Sequence, residues 1–278
     1  MVDRSKLKLS GIQYATPEIK SCYIGPEISD EQFIPEHIFF FLAKGFVEGY
    51  DGHKKYAMHS GDYCLLRKNN LARYAKQKEN DQFEKVVVVF DEPFLKDFQK
   101  KHAFKTGARY AEGTFVFFEK TDLIPNFIRS LVPYYQRDGQ IDDRFRDVKR
   151  EELLLILLQL DSGLANILFD FSIPQKIDLK AFMLQHYRFN VSLERLAFLT
   201  GRSLSTFKRE FVQLFKDTPG HWIQQKRLQE AHFQIQQKKR KPTEVYLDLG
   251  FEDLSHFSFA FKKKFGVAPS KILRKITT

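Results

Sequence analysis

The chain contains few of the residues that disulfide, zinc or membrane chemistry would need. Its 278 residues include two cysteines, three methionines and one tryptophan. Because Cys22 and Cys64 lack the spacing of a zinc site and follow no apolar leader, we expect reduced thiols in a cytoplasmic protein. The longest apolar run, residues 153–158, is far too short to cross a bilayer, so we expect no membrane attachment.

Catalytic motifs are missing as well. The sequence has no GxSxG element and no Gly-rich phosphate loop. The histidines of the first half form no H-x-H pair that would bring two imidazoles to one metal, and we expect them at the surface or in hairpins: His37, His53, His59 and His102. The sequence therefore predicts no metal, no cofactor and no enzymatic activity.

The sequence does contain an internal repeat. GRSLSTFKREFVQLFKDTP at residues 201–219 and GFEDLSHFSFAFKKKFGVAP at 250–269 align at an offset of 50. The offset pairs Leu204/Leu254, Ser205/Ser255, Phe207/Phe257, Phe211/Phe261, Phe215/Phe265 and Pro219/Pro269. Phenylalanines spaced by four residues lie on one face of an α-helix, so each copy predicts one amphipathic helix.

Each of these helices is preceded by the signals of a helix-turn-helix. Gly201 and Gly250 predict turns, and Ser203 and Asp253 are suited to cap the helix that follows. A shorter helix is predicted upstream of each turn, which gives two helix-turn-helix units at about 192–211 and 243–262. The alternative is two helical hairpins of an ordinary bundle, in which the phenylalanines are simply core.

The polar face of each repeat is typical of a DNA-reading helix. The candidates for contact with base edges are Ser205, Thr206 and Arg209 in unit one, and Leu254, Ser255, His256 and Ser258 in unit two, with Ser203 at the start of the first helix. The candidates for phosphate contacts are Arg202, Lys208, Lys262 and Lys263. An ordinary bundle does not explain this composition.

The charge of the chain is concentrated at the same end. Residues 176–278 hold 20 Lys and Arg against 9 Asp and Glu, a net +11, whereas residues 1–175 hold 25 against 26, a net −1. A basic run is often only a solvated face, but here it coincides with the repeat, as an electrostatic footprint for duplex DNA requires.

With these features, residues 178–276 resemble the DNA-binding domain of the AraC/XylS family of bacterial transcription regulators. The resemblance rests on residues 203–211, on Trp222, Arg227 and Ala231, and on Gly250, Phe251, Ser255, Phe257, Phe261, Lys262, Phe265, Gly266 and Pro269. It implies a long helix, about 220–237, that joins two units reading successive major grooves, roughly 34 Å apart. It also implies an activator that contacts RNA polymerase, a cupin-like N-terminal domain and a homodimer.

Two positions depart from the family pattern. Tyr246 stands where a small residue is usual, which questions the local packing. Phe259 stands where the second recognition helix often has arginine. It predicts either apolar contact with DNA, such as a thymine methyl group, or a unit that mainly holds the backbone.

The first half predicts a β-rich domain at residues 1–120, and the chain as a whole an α+β fold. Short β-rich runs at 22–25, 37–50, 61–67, 84–90 and 114–119 are separated by turn signals, which favours a small antiparallel barrel or sandwich. Such a domain would bind a small-molecule effector between walls such as Phe39, Phe41, Tyr63 and Phe117, or would bind a regulatory protein. Arg67, Lys68, Asn69, Asn70 and Arg73 would serve an anionic ligand, or form a solvated basic loop.

A helical segment at 121–171 is predicted to follow, with helices at about 122–136 and 142–160 capped by Asp122 and Asp142. One apolar stripe comprises Leu123, Phe127, Leu131 and Tyr134, and the other Phe145, Leu153, Leu154, Leu157 and Leu158. The second stripe predicts a dimer interface, the alternative being burial within one subunit. Residues 172–177 are the expected domain boundary, before a helix at about 178–187.

The sequence thus predicts a sequence-specific DNA-binding transcription regulator controlled by its N-terminal domain. The alternative is a nonspecific or structural nucleic-acid-binding protein, since a net charge of +11 over the last 103 residues attracts any polyanion.

Overall fold

The computed structural model describes residues 21–25, 32–104, 113–134 and 141–272, and it has an α+β architecture. A sheet-rich region precedes a helical one. Its strands are β1 Cys22–Ile24, β2 Phe33–Ile34, β3 His37–Lys44, β4 Phe46–Tyr50, β5 Lys55–His59, β6 Tyr63–Leu66, β7 Asn70–Leu71, β8 Arg73–Gln77, β9 Glu84–Phe90 and β10 Phe115–Phe117.

Its α-helices are α1 Glu92–His102, α2 Leu123–Leu131, α3 Asp143–Leu160, α4 Ala165–Leu168, α5 Leu179–His186, α6 Leu193–Leu199, α7 Leu204–Phe215, α8 Pro219–Gln236, α9 Pro242–Asp248 and α10 Leu254–Phe265. Every β-rich run predicted from the sequence contains a strand. The sequence prediction missed the strands β2, β5, β7 and β8 and the helices α1 and α4.

The strands form three sheets. The largest has the order β1-β9-β3-β6-β10, in which β1 and β9 are parallel, and the smaller ones have the orders β5-β4-β8 and β2-β7. Across the described residues they do not close into a barrel, so the predicted barrel is corrected to packed sheets. The cupin-like character of this region stays a prediction.

The largest sheet is buried on both faces, which explains the unbroken apolar runs of β3 and β9. Alternate side chains of a strand point to opposite faces. Phe39 and Phe41 pack with the helices α1 to α4, whereas Ile38 and Leu42 pack towards β4 and β5. The predicted ligand walls are therefore corrected: Phe39, Phe41 and Tyr63 are 0–4% exposed and belong to the helix-facing core.

The predicted basic ligand cluster is also divided among other contacts. Lys68 pairs with Glu92 at 3.7 Å, and Asn70 donates to the Lys68 carbonyl at 2.9 Å. Arg73 contacts α9 in the second half of the chain. His37, which we expected at the surface, is 1% exposed, and burial together with Lys68 and Arg67 lowers its imidazole pKa to about 3.

The helical segment is buried differently from the prediction. Asp122 makes no capping bond, and Thr121 instead accepts the Leu123 N–H at 3.3 Å, while Asp142 accepts the Arg144 N–H as expected. The predicted end of the first helix, Gln136, lies outside the described residues. The leucines expected at a dimer interface are 0–4% exposed inside the subunit: Leu153, Leu154, Leu157 and Leu158.

The helical region repeats itself as the sequence predicts. Helices α7 and α10 have twelve residues each, and both their first and last residues are related by the offset of 50. The preceding helices α6 and α9 have seven residues each. Tyr246 is half-buried with its ring centroid 6.5 Å from that of Phe257, so unit two accommodates the larger residue.

The two turn glycines are required by the backbone. Gly201 and Gly250 have φ of +66° and +78°, a region that side chains with a Cβ rarely adopt. A Cβ on Gly250 would lie 2.4 Å from the Arg188 carbonyl oxygen, and one on Gly201 would lie 2.4 Å from the Gln175 carbonyl carbon. Each turn therefore packs directly against another stretch of backbone.

We predict that Gly250→Ala lowers the free energy of unfolding by roughly 1–3 kcal/mol, because the left-handed conformation and the overlap act together. The control is Gly220→Ala, since a Cβ on Gly220 meets nothing within 4 Å. Urea titration of both variants measures the effect. Equal midpoints for the two would contradict the account of the turn.

Candidate nucleic-acid interface

The start of each longer helix is fixed by its cap. The Ser203 hydroxyl accepts the Thr206 N–H at 3.3 Å, and an Asp253 carboxylate oxygen accepts the His256 N–H at 2.6 Å. Both caps were predicted. They place Ser205 and Ser255, which are exposed, in the first turns of α7 and α10.

The residues predicted to contact DNA occupy one outer face on each helix. The exposed ones are Ser203, Ser205, Lys208 and Arg209 in unit one, and Ser255, His256, Phe259, Lys262 and Lys263 in unit two. Thr206, Leu254 and Ser258 are half-buried. Within the described ranges, no carboxylate forms an ion pair with Lys208, Arg209, Lys262 or Lys263. These cations therefore face solvent without an internal counter-charge.

Arg202 has a different place from the one we predicted. Its side chain is 5% exposed, and its guanidinium donates to Glu210 at 2.9 Å and to the Ile177 carbonyl at 3.0 Å. The hydrogen bonds from Lys176 and Arg202 also lower the pKa of the Glu210 carboxyl. Arg202 thus ties the turn of unit one to the chain before α5, and its guanidinium is engaged by partners within the protein.

Helix α8 belongs to both units. Trp222 packs with Phe207 and Phe211 in the core of unit one. Further along the same helix, the core of unit two receives Leu228, Ala231 and Ile235. Because one rigid helix contributes to both cores, the positions of α7 and α10 are linked through it.

Arg227 lies between these two groups on α8. It bonds to the turn of unit two and to the segment between α5 and α6, whose Tyr187 packs against the core of unit one. Its guanidinium donates to the carbonyls of Tyr187 and Phe189 at 2.8 Å each, and to that of Gly250 at 2.7 Å. Burial lowers the pKa of this group to about 10, with Glu252 acting in the opposite direction. The sequence singled out Arg227 by resemblance but did not predict these bonds.

Two residues that the sequence prediction did not name share the face of α7 that carries the predicted DNA contacts. Val212 and Gln213 are exposed on α7. The offset of 50 places them at the positions of Lys262 and Lys263, so the repeat itself was the signal that could have identified them. Unit two is therefore more cationic than unit one in the second half of its recognition helix.

The sheet-rich region packs against the C-terminal end of α6 and the loop before it. Phe33 and Leu71 form a buried cluster with Phe189 and Leu199. The Tyr50 ring stacks on that of Phe189, with centroids 5.8 Å apart and planes 9° from parallel. Close stacking of this kind fixes the two halves of the chain against each other.

Polar contacts surround this cluster. Arg73 donates to the carbonyls of Leu247 and Asp248, at the C-terminal end of α9, and its guanidinium lies 3.4 Å from the Asp248 carboxylate. Burial lowers the pKa of Arg73, and Asp248 opposes that effect. The Asn190 N–H donates to Gln32 at 3.0 Å. The N-terminal region thus contacts the first helix of unit two directly.

The remaining site chemistry is limited. In the part of the chain that the structure describes, no cluster of His, Cys, Asp and Glu is arranged to hold a metal, and no helix is long and apolar enough to span a membrane. Cys22 and Cys64 are buried and unbridged, and burial raises the pKa of the Cys64 thiol.

Comparison with known proteins finds similarity along the whole chain. A model described as the ExsA N-terminal regulatory domain matches residues 37–167, and one described as a helix-turn-helix domain matches residues 196–275. The virulence regulon transcriptional activator VirF of Yersinia enterocolitica is 23% identical over 284 residues, 99% of each chain. The thermoregulatory protein LcrF of Yersinia pestis is 23% identical over 86% of this chain and 90% of its own.

Solved structures of ToxT from Vibrio cholerae also span most of the chain. The apo form of ToxT K231A from Vibrio cholerae is 16% identical and covers 87% of this chain and 90% of its own, with a TM-score of 0.39.

We predict that Arg227→Met lowers the free energy of unfolding by roughly 1–3 kcal/mol, because the carbonyls of Tyr187, Phe189 and Gly250 lose their partner. Gln229→Met, an exposed change on the same helix, is the control. Chemical denaturation of the two variants supplies the comparison. If Arg227→Met is as stable as the control, Arg227 does not connect the units.

Proposed function

The chain belongs to the AraC-type helix-turn-helix family of transcription regulators, and on that premise we propose that it inserts α7 into one major groove of duplex DNA and α10 into the next. It is a sequence-specific DNA-binding regulator whose first half is a regulatory domain. The repeat of a capped, outward-facing polar helix on a shared α8 is the observation that carries the proposal. Adjacent major grooves on one side of DNA lie about one helical turn apart.

The proposal divides the outer faces by chemistry. Base edges are assigned to hydroxyl, imidazole and guanidinium groups near the helix starts: Ser205, Thr206, Arg209, Ser255, His256 and Ser258. Phosphates are assigned to Lys208, Lys262 and Lys263. Ser203 caps α7 by accepting the Thr206 N–H. Leu254 is half-buried, and the exposed part of its side chain is assigned to apolar contact with a base edge.

The proposal also covers activation, contact with RNA polymerase, the cellular compartment and the absence of catalysis. Because VirF is named a transcriptional activator, we assign activation and contact with RNA polymerase to this chain as well. The cytoplasm is the expected compartment. The proposal is that the chain acts by binding DNA and not by catalysis.

Dimerisation is also proposed, but on another surface than the buried leucines. The outer face of α3 carries Phe145, Val148 and Leu155, which are 38%, 59% and 40% exposed. These residues are spaced by three and seven, as on one face of a helix. The proposal assigns this apolar face to contact with a second copy of the chain.

The effector is better explained as a protein than as a small molecule. A cavity of about 180 Å³ lies between the sheets, lined by residues such as Ile38, Phe40 and Met58. Sites for small molecules are usually roughly 300–1,000 Å³. Arg73 contacts the end of α9 in unit two, and Tyr50 stacks on Phe189. A regulatory protein that bound the sheet-rich region and moved these two residues would therefore alter the packing of unit two.

We predict that Arg209→Ala weakens binding to a selected duplex by roughly 1–3 kcal/mol and relaxes the preference at one base pair, with little effect on random DNA. Lys262→Ala should weaken specific and random duplexes alike and reduce the salt slope by about 1. Fluorescence anisotropy at several salt concentrations measures both effects.

The control for this pair is Lys100→Ala, which removes an exposed charge from α1 in the N-terminal region. It should change neither affinity nor slope by a measurable amount. If Arg209→Ala weakens specific and random DNA equally, the base-reading role is wrong. If wild type itself shows no preference among duplexes, the nonspecific alternative is right.

A second prediction concerns control by the N-terminal region. Arg73→Ala removes the donor at the end of α9, so the amide hydrogens of residues 242–251 should exchange faster, roughly severalfold, by mass spectrometry. Lys55→Ala, an exposed change on β5, should leave them unchanged. Identical exchange in both variants would show that the contact does not support unit two.

A further inference from the structure

Phe259 is the most conspicuous apolar side chain of the recognition face. It lies two residues from both Phe257 and Phe261, which is about 200° around the helix from each. Those two rings are 0% exposed in the core of unit two, whereas Phe259 is 70% exposed. The core of α10 therefore directs Phe259 straight away from the protein.

The surroundings of Phe259 are polar and cationic. One turn before it stand Ser255 and His256, and one turn after it Lys262 and Lys263, all of them exposed. A ring enclosed by hydroxyl, imidazole and ammonium groups is poorly suited to an apolar protein surface, which would leave those groups without partners. The same set suits the major groove, where phosphates flank base edges.

The groove offers one main apolar group to such a ring. Among the base edges of the major groove, the 5-methyl group of thymine is the apolar feature, and phenylalanine is among the side chains that contact it. Arg209 occupies the equivalent position of unit one, by the offset of 50, and its guanidinium suits guanine O6 and N7. The two units thus present opposite chemistries at the centre of their recognition faces.

We propose that Phe259 is a specificity-determining residue that recognises the methyl group of a thymine in the half-site bound by α10. This inference rests on the proposed function and specifies what unit two recognises. The protein would then bind an asymmetric site, with guanine at the centre of one half and thymine at the centre of the other.

The test removes single methyl groups from DNA. In a duplex selected by the full chain, each thymine is replaced in turn by deoxyuridine, which keeps the base pair and loses only the methyl. We expect one replacement to weaken wild-type binding about fourfold, which corresponds to about 0.8 kcal/mol for one buried methyl-sized group. In Phe259→Ala the same replacement should have no effect.

Two controls separate this effect from others. Arg209→Ala should retain the full uracil effect, because it alters the other half-site. Phe259→Leu keeps an apolar group and should retain part of the uracil effect. Because the Phe259 side chain is exposed, the melting temperatures of Phe259→Ala and Phe259→Leu should both lie near that of wild type. Selection with Phe259→Arg should replace the thymine by guanine.

The outcomes are distinguishable. Uracil effects that are equal in wild type and Phe259→Ala, in a protein that still prefers its selected duplex, overturn the assignment of Phe259 and leave the proposed function standing. A wild-type protein with no preferred duplex overturns both.

Discussion

Helix α8 packs into two cores at once, and the geometry of the DNA-facing half depends on that sharing. Trp222 holds its beginning in unit one, and Leu228, Ala231 and Ile235 hold its later turns in unit two. Arg227, between them, bonds to the carbonyl of Gly250 in unit two and to that of Tyr187, just before unit one. A helix is stiff over this length, so the two recognition helices cannot change their separation without breaking one of the cores. A fixed separation is what two grooves of one duplex require.

The first half of the chain contacts this assembly at its edge. Tyr50 stacks on Phe189, whose carbonyl accepts from Arg227, and Arg73 bonds to the end of α9. The sheet-rich region thus contacts the same stretch of backbone to which Arg227 of α8 donates. The contact lies on the shorter helices of the two units and leaves the outer faces of α7 and α10 exposed.

The sequence predicted local features well and long-range ones poorly. Helix periodicity, the caps Ser203 and Asp253, and the repeat depend on residues close in the chain, and the structure confirms them. The bonds of Arg202 and the burial of Phe39 depend on partners that only the fold brings near. The leucines of α3 form a broad apolar arc that suits either a dimer interface or burial within one subunit. The sequence alone does not say whether the residues packed against them belong to the same chain. The DNA contacts of individual residues remain predictions.

The central claim is that one chain reads two successive major grooves. Selection of bound duplexes from a random library by the full-length protein, at near-physiological salt so that phosphate attraction does not obscure base preference, tests it most directly. The account predicts an enriched motif of two dissimilar halves whose centres lie about 10–10.5 base pairs apart. A single continuous half-site, or no enriched motif at all, would contradict it.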